Sequence, residues 1–319
     1  MKFLDPESKV IQLPETGGLA ASSHVFNPSS IVAINTALAT RRPLLVRGEP
    51  GTGKSQLARA AAVALGRVFL SKVIDSRTEA RDLLFTFDAV ARLADAQVQG
   101  ALKNSPEEVR HQLRETKYIA PGPLWWAFDW WNASRQAAES GAPIPDVEGS
   151  GSPDAGAVLL IDEIDKADSA LPNGLLEALG TARFPRPGGD FVSCQGEPPL
   201  TLITTNEERA LPDAFLRRCL VLQLSWPRES EELKAALLLW GRAHFPDVDE
   251  SVLATSAQIL EQDRRAVAER GLNPPGGAEF IDLVRAVLEQ RPGNSQAQQE
   301  LLAEIRGFVL EKHPRDGTS

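Results

Sequence analysis

The run Gly48-Glu49-Pro50-Gly51-Thr52-Gly53-Lys54-Ser55 matches the pattern G-x-x-x-x-G-K-[ST] at every fixed position. Its glycines let the backbone turn with φ > 0, so that successive N–H groups point inward as a concave anion nest, and Lys54 adds a point charge. The chemistry of such a run is to hold a nucleotide polyphosphate; Gly48, Glu49, Pro50, Gly51, Thr52, Gly53, Lys54, Ser55 and the adjoining Gln56 form the candidate binding set. A second run, Val158-Leu159-Leu160-Ile161, ends in Asp162-Glu163. Asp162 is suited to holding Mg²⁺ through water alongside the Ser55 hydroxyl, and Glu163 to polarising an attacking water. Asn206, which closes Thr201-Leu202-Ile203-Thr204-Thr205, is suited to orienting that water or touching a γ-phosphate, and equally to an ordinary turn.

These groups need a scaffold that brings them together. Pro43–Arg47 reads as a short buried strand and Ser55–Leu65 as a helix, so the glycine loop stands between a strand and a helix N-terminus, where free N–H groups and the macrodipole favour an anion. Val68–Ile74 reads as a second strand, and the alternation predicts a parallel α/β sheet. The apolar run ending at Asp162 predicts a strand covered on both faces, with its acids at the carboxyl edge where open α/β sheets bind ligands.

Residues 1–27 read as an irregular surface wrap before a helix over Ser30–Leu38. Helices are expected over Ala80–Ala96 and over Ser105–Glu115, the latter with Ser105 as cap, Pro106 in the first turn and Glu108 completing a capping box. The stretch Tyr118–Trp131 holds Trp125, Trp126, Trp130 and Trp131; it fits core packing or a partner-gripping surface. Asp146–Gly156 reads as an exposed linker, and Phe184–Val192 as a hairpin with a glycine tip. Beyond Trp226-Pro227 the pattern turns helical over Glu229–His244, Glu250–Glu269, Gly277–Gln290 and Gln296–Lys312, a small all-α domain.

At 319 residues the chain suits a nucleotide-binding domain of roughly 200 residues and a smaller one of about 100. A net charge of −9 weighs against a nucleic-acid-coating surface and favours protein partners. Cys194 and Cys219 form neither a C-x-x-C pair nor a disulfide framework, which fits a reducing cytoplasm. The first residues carry acids and a proline where a signal peptide needs an apolar core, and the apolar stretch from Ala60 to Leu70, broken by Gly66 and Arg67, is too short to span a bilayer. Export and membrane insertion are not expected.

Together with Leu211-Pro212-Asp213-Ala214-Phe215-Leu216-Arg217-Arg218, the runs at Gly48–Ser55, Val158–Glu163 and Asn206 resemble the motif set of AAA+ ATPases, and of the MoxR group in particular, over roughly Val25 to Gln290. The resemblance implies a P-loop NTPase α/β domain at residues 1–226 with an insertion around 76–156, and a helical lid at 227–319. It makes Gly48–Ser55 Walker A, Val158–Glu163 Walker B and Asn206 the first sensor. The finger arginine of this motif is the eighth residue from its leucine, which is Arg218 here. Tyr118–Trp126 falls at the end of the family's insertion and Phe184–Val192 at its hairpin, both of which project toward the pore or face of a ring. One departure stands out: Asn273–Glu279 offers no basic second-sensor residue, leaving Arg270 and Arg285 as candidates. The implied activity is Mg²⁺-dependent ATP hydrolysis by a homo-oligomeric ring, a hexamer, acting as a motor or chaperone on a protein partner, including partners with a von Willebrand factor A domain. A nucleic-acid-acting AAA+ ATPase and a non-hydrolysing scaffold are the alternatives; the acidic balance weighs against the first and Glu163 against the second.

Overall fold

The computed structural model describes residues 2–310 apart from 8, 17, 102–104, 148–150 and 169. The N-terminal stretch is more ordered than its composition implies. Strands β1 (Val10–Leu13) and β2 (Ser22–Val25) pair antiparallel, with Leu4, Leu13 and Phe26 buried beneath them. Helix α1 (Pro28–Thr40) follows, its start fixed by Asn27, whose side chain accepts the Ser29 N–H, and by Pro28 in the first turn.

The frame of the molecule is then laid down by β3 (Leu44–Gly48), α2 (Lys54–Leu65) and β4 (Arg67–Val73). The expected helix over Ala80–Ala96 is replaced by a 3-10 turn at Ala80–Leu83, a strand β5 (Phe85–Phe87) and a helix α3 (Ala89–Ala101). Helix α4 (Pro106–Gln112) has the expected capping box from Ser105 and Glu108 but ends three residues early, giving way to a 3-10 turn at Glu115–Tyr118. Strand β6 (Ile119–Pro121) pairs antiparallel with β5, and α5 (Pro123–Phe128) and α6 (Trp130–Ser140) carry the tryptophans. Trp125 and Trp126 are buried and Trp130 half-buried, whereas Trp131 is 60% exposed. The cluster therefore belongs mainly to the core.

The linker expected over Asp146–Gly156 is corrected in its second half, since residues 148–150 lie outside the described part and β7 (Ser152–Asp162) begins at Ser152, paired opposite Arg67 of β4. After α7 (Ala170–Thr181), β8 (Arg183–Pro185) and β9 (Phe191–Ser193) form the expected hairpin, with Phe184 opposite Val192 and an exposed tip at Gly188–Asp190. The last core elements are β10 (Leu200–Thr205), the short α8 (Asp213–Leu216) and β11 (Leu220–Leu224).

The central sheet is parallel, in the order β11-β3-β10-β7-β4. Its strands are covered on both faces, and the two-residue side-chain period sorts them into two cores. Leu45, Leu159, Ile161 and Ile203 pack with Trp125 and Phe184 on one face, while Leu44, Val46, Val158, Leu160 and Leu202 pack against α1 and α2 on the other. Helices α9 (Ser230–His244), α10 (Glu250–Glu269), α11 (Gly277–Gln290) and α12 (Ser295–Val309) then build a third core around Leu237, Leu260, Phe280 and Leu302, the helical lid of the fold. Residues 311 and 312, the end of the expected last helix, lie outside the described part. Among the described residues no helix is long and apolar enough to cross a membrane.

Truncating Trp125, whose indole N–H also donates to Asn132 Oδ1 at 2.9 Å, opens a large cavity in the first core. Trp125→Ala is expected to cost about 3–5 kcal/mol of unfolding free energy. Trp131→Ala, at an exposed position, is expected to stay within about 0.5 kcal/mol. Chemical denaturation of both variants checks the contrast; equal losses would contradict the core assignment.

Candidate functional site

Gly48 ends β3 directly opposite Leu224 of β11. Its φ is +150°, and a Cβ there would stand 2.1 Å from the Leu224 carbonyl oxygen, so only glycine fits. Gly51 and Gly53 also have positive φ, and Gly53 caps α2 without a side-chain bond, leaving the first-turn N–H groups of the helix aimed at the loop. The Lys54 ammonium curls back and donates to the carbonyls of Gly48 (2.7 Å) and Glu49 (3.0 Å). Burial pulls the Lys54 pKa below its ordinary value, while Asp162, Asp165, Glu163 and Glu207 pull it back. The loop is thus preshaped, with its cation already in place.

The strand order sets the acids against this loop, because β10 separates β3 from β7 and all three end at the same edge. Ser55 Oγ donates to both Asp162 oxygens, at 3.0 and 2.9 Å. Thr204, on the intervening strand, donates its hydroxyl to Asp162 Oδ1 and accepts the Glu163 N–H at 2.9 Å. Glu163 leaves the strand with φ +62°, a left-handed conformation that is strained for a residue with a Cβ and that Thr204 helps to hold. Its Oε2 accepts from Lys166 Nζ at 2.8 Å, a pair that raises the Lys166 pKa.

The loop, the acids and the lid enclose one cleft of about 440 Å³. Of the residues singled out in the sequence, Pro50, Gly51, Gly53, Lys54, Ser55, Gln56, Asp162, Glu163 and Asn206 line it together. Gly48 lies behind the loop, Thr52 faces a smaller cavity beside His24, and Glu49 turns toward the lid. The far wall is lid: Trp240, His244, Ala278 and Ile281 give it an apolar end, and Arg285 stands at its rim. Of the two second-sensor candidates, Arg285 lines the cleft and Arg270 does not. Arg217 and Arg218 also lie outside the cleft and are exposed. Arg42 pins the backbone of this turn by donating to the carbonyls of Arg217 (2.6 Å), Arg218 (3.2 Å) and Cys219 (3.0 Å). Neither Arg217 nor Arg218 forms an ion pair among the described residues.

The donor chemistry fits a magnesium nucleotide. A concave row of backbone N–H groups with a lysine suits a polyphosphate, and a hydroxyl and a carboxylate already in contact offer hard oxygen ligands to a cation that otherwise keeps its waters. A parallel sheet with a glycine loop after β3 and an acid-tipped strand, β7, two places along defines a P-loop nucleotide-binding protein. Residues 43–238 match the family model of the AAA domain, dynein-related subfamily, and the chain belongs to that family. It is an AAA+ ATPase at the level of family. No curated protein matches the sequence at a significant level. A crystal structure of a provisionally assigned ATPase from Cytophaga hutchinsonii ATCC 33406 is similar over 88% of this chain and 80% of that chain, at 14% identity and a TM-score of 0.37.

Sequence reasoning passed over Thr204, Lys166, Trp240 and His24. A strand ending Thr-Thr-Asn was a signal for the first, because a hydroxyl one strand from an acid at a sheet edge is within reach of it. Thr204→Val keeps the shape but leaves the Glu163 N–H without its acceptor and Asp162 with Ser55 as its side-chain donor. Turnover is expected to fall about tenfold or more, with ADP binding reduced far less, by steady-state kinetics and calorimetry. His24 packs edge-on to Phe26, and burial first, then His244, lower its pKa from 6.5 to about 4. Below about pH 6.5 the unfolded chain takes up a proton that the buried imidazole refuses until about pH 4. Stability therefore falls across that window, by about 3 kcal/mol at its acid end at about 1.4 kcal/mol per unit. Denaturation curves of the unmodified chain and of His24→Asn at successive pH values check this; identical slopes would contradict it.

Proposed function

We propose that the chain is an ATP-hydrolysing, ring-forming AAA+ motor or chaperone of the MoxR group that remodels a protein partner, with residues 1–226 as the nucleotide-binding domain and 227–319 as the lid. The observation that carries the ATPase reading is the single constellation of loop, Ser55, Asp162, Thr204 and Glu163 at one sheet edge. Gly48 to Gln56 bind the polyphosphate, with Lys54 as its cation. Ser55 and Asp162 would hold Mg²⁺, which when bound offsets charge on the phosphate oxygens. Glu163 polarises the attacking water through Oε1, the oxygen that Lys166 leaves open, and Asn206 orients it. The apolar end formed by Trp240, Ala278 and Ile281 receives the base, and Arg285 takes the second-sensor position.

The ring follows from Arg218. Its backbone is tethered by Arg42 while its side chain is exposed and forms no ion pair among the described residues, which supports a residue that completes a neighbour's site. The exposed hairpin tip at Gly188–Asp190 and the acidic net charge favour a protein client. The resemblance to the MoxR group adds a partner with a von Willebrand factor A domain, and Cys194 and Cys219, outside any C-x-x-C spacing, favour a reducing cytoplasm.

Lys54→Ala is expected to abolish the thermal shift produced by ATP and Mg²⁺, and Glu163→Gln to bind ATP but stall. Arg218→Ala subunits, inactive alone, mixed with Lys54→Ala subunits, also inactive alone, are expected to recover hydrolysis, since an intact loop then meets an intact finger. The finger contributes about 10³-fold or more to turnover. Near-normal turnover of Arg218→Ala beside a dead Arg217→Ala would move the role to Arg217, and a strictly monomeric, fully active protein would remove the ring.

A further inference from the structure

Glu49, the first variable residue of the phosphate loop, points away from the nest. Its Oε2 accepts from Arg264 Nη2 at 2.9 Å, across 215 residues of chain. Arg264 comes from the C-terminal half of α10 with only 11% of its side chain exposed, and its Nη1 donates to the Pro275 carbonyl. Pro275 opens the turn into α11, where Glu279 accepts the Gly276 N–H at 2.9 Å and the Gly277 N–H donates to the Gly51 carbonyl at 3.1 Å. Approach is as close as backbone allows: a Cβ on Gly276 would stand 2.9 Å from the Pro50 oxygen, and one on Gly277 would stand 2.4 Å from Trp240. One guanidinium therefore ties the phosphate loop to the lid.

A planar fork delivers its donors in fixed directions, so Arg264 satisfies Pro275 and Glu49 together only when the two loops hold this relative position. Electrostatics adds a second reason for the contact. Glu49 places a carboxylate one residue from Gly48, beside the nest; unpaired, it opposes a polyanion, and paired to a nearly buried arginine it does not.

We propose that Arg264 is a positioning residue of the nucleotide site, which neutralises Glu49 and docks the lid on the phosphate loop, so that nucleotide affinity and lid closure are coupled. The inference rests on the reading that Gly48–Ser55 binds a nucleotide polyphosphate. Arg264 touches the loop, not the phosphates; the coupling runs through the Glu49 charge and is reciprocal, the docked lid favouring nucleotide by the factor by which bound nucleotide favours the docked lid.

The test uses the full chain and ADP with Mg²⁺, with binding read by calorimetry and lid docking by hydrogen exchange at the Gly277 amide without nucleotide. Arg264→Ala is expected to weaken ADP binding about tenfold and to speed exchange at Gly277. Adding Glu49→Gln to Arg264→Ala is expected to recover most of the affinity, because the uncompensated carboxylate is gone, but not the protection of Gly277. Arg264→Lys, which keeps the charge without the fork and is the milder test of folding, is expected to hold affinity within about threefold while Gly277 exchanges faster. Unchanged ADP affinity in Arg264→Ala overturns the inference, as does a double variant as weak as the single. If the unmodified chain itself fails to bind ADP, the nucleotide reading falls instead. The exchange measurement still decides the docking, and Gly277 protection unchanged in Arg264→Ala overturns it.

Discussion

A polyphosphate site built from backbone requires a stretch of chain with no side chains in the way, and here that constraint is sharpest at Gly48. The Leu224 carbonyl stands where its Cβ would be, and Leu224 is the last residue of the strand that leads through Trp226-Pro227 into the lid. The same contact thus bares the loop, seals β3 against β11 and brings the lid's entry to the back of the nest. The remaining geometry follows from strand order. With β10 between β3 and β7, the hydroxyl of Thr204 is the natural bridge from loop to acid, and its two bonds hold Asp162 toward Ser55 and Glu163 in its left-handed turn. That turn is where backbone strain is stored, one residue past the strand, and it directs the Glu163 carboxylate to the cleft.

The parts legible in the sequence are those where chemistry restricts residue type locally. The glycine loop, the apolar strand ending in two acids and the capping box at Ser105 each declare themselves within eight residues or fewer, and each lies where the fold needs it. Thr204 and Arg264 carry no such signature. A threonine closing a strand and an arginine inside a helix are ordinary residues until topology sets them beside Asp162 and Glu49, and adjacency across 42 or 215 residues is not written in any window.

The misread elements fail for a related reason. Phe85-Thr86-Phe87 alternates as a strand should, but it is short and its partner lies beyond two helices, so the alanine-rich neighbourhood suggested a helix instead. Ser22-Ser23-His24 has little strand propensity and is held by burial of His24 and by pairing to β1. Ser152–Gly156 has a linker's composition, and although Ser152 pairs opposite Arg67 the next paired residue is Ala157 opposite Val68, so residues 153–156 bulge out of the β4 ladder and Pro153 forfeits no bond to it. In each case tertiary contacts overrode local preference.

The electrostatics of the cleft argues that its two halves work together. Asp162, Glu163, Asp165 and Glu207 all act on Lys54, and Glu49 adds a further negative charge at the loop, so carboxylates crowd the phosphate loop of the α/β half. Lys166 already compensates Glu163, and Arg47 compensates Glu207 at 3.4 Å. Of the three that remain, Asp165 is buried and accepts the Glu208 N–H at 3.0 Å, while Asp162 and Glu49, which sit at the loop itself, look in different directions. Asp162 faces Ser55, a pairing that suits a divalent cation arriving with the nucleotide, and Glu49 faces Arg264 of the lid. Charge balance thus divides the requirement between an ion and a domain. On the proposed reading, a nucleotide would meet a neutralised nest only with its metal present and the lid docked, and a lid that left Glu49 would uncover a charge opposing what the loop holds.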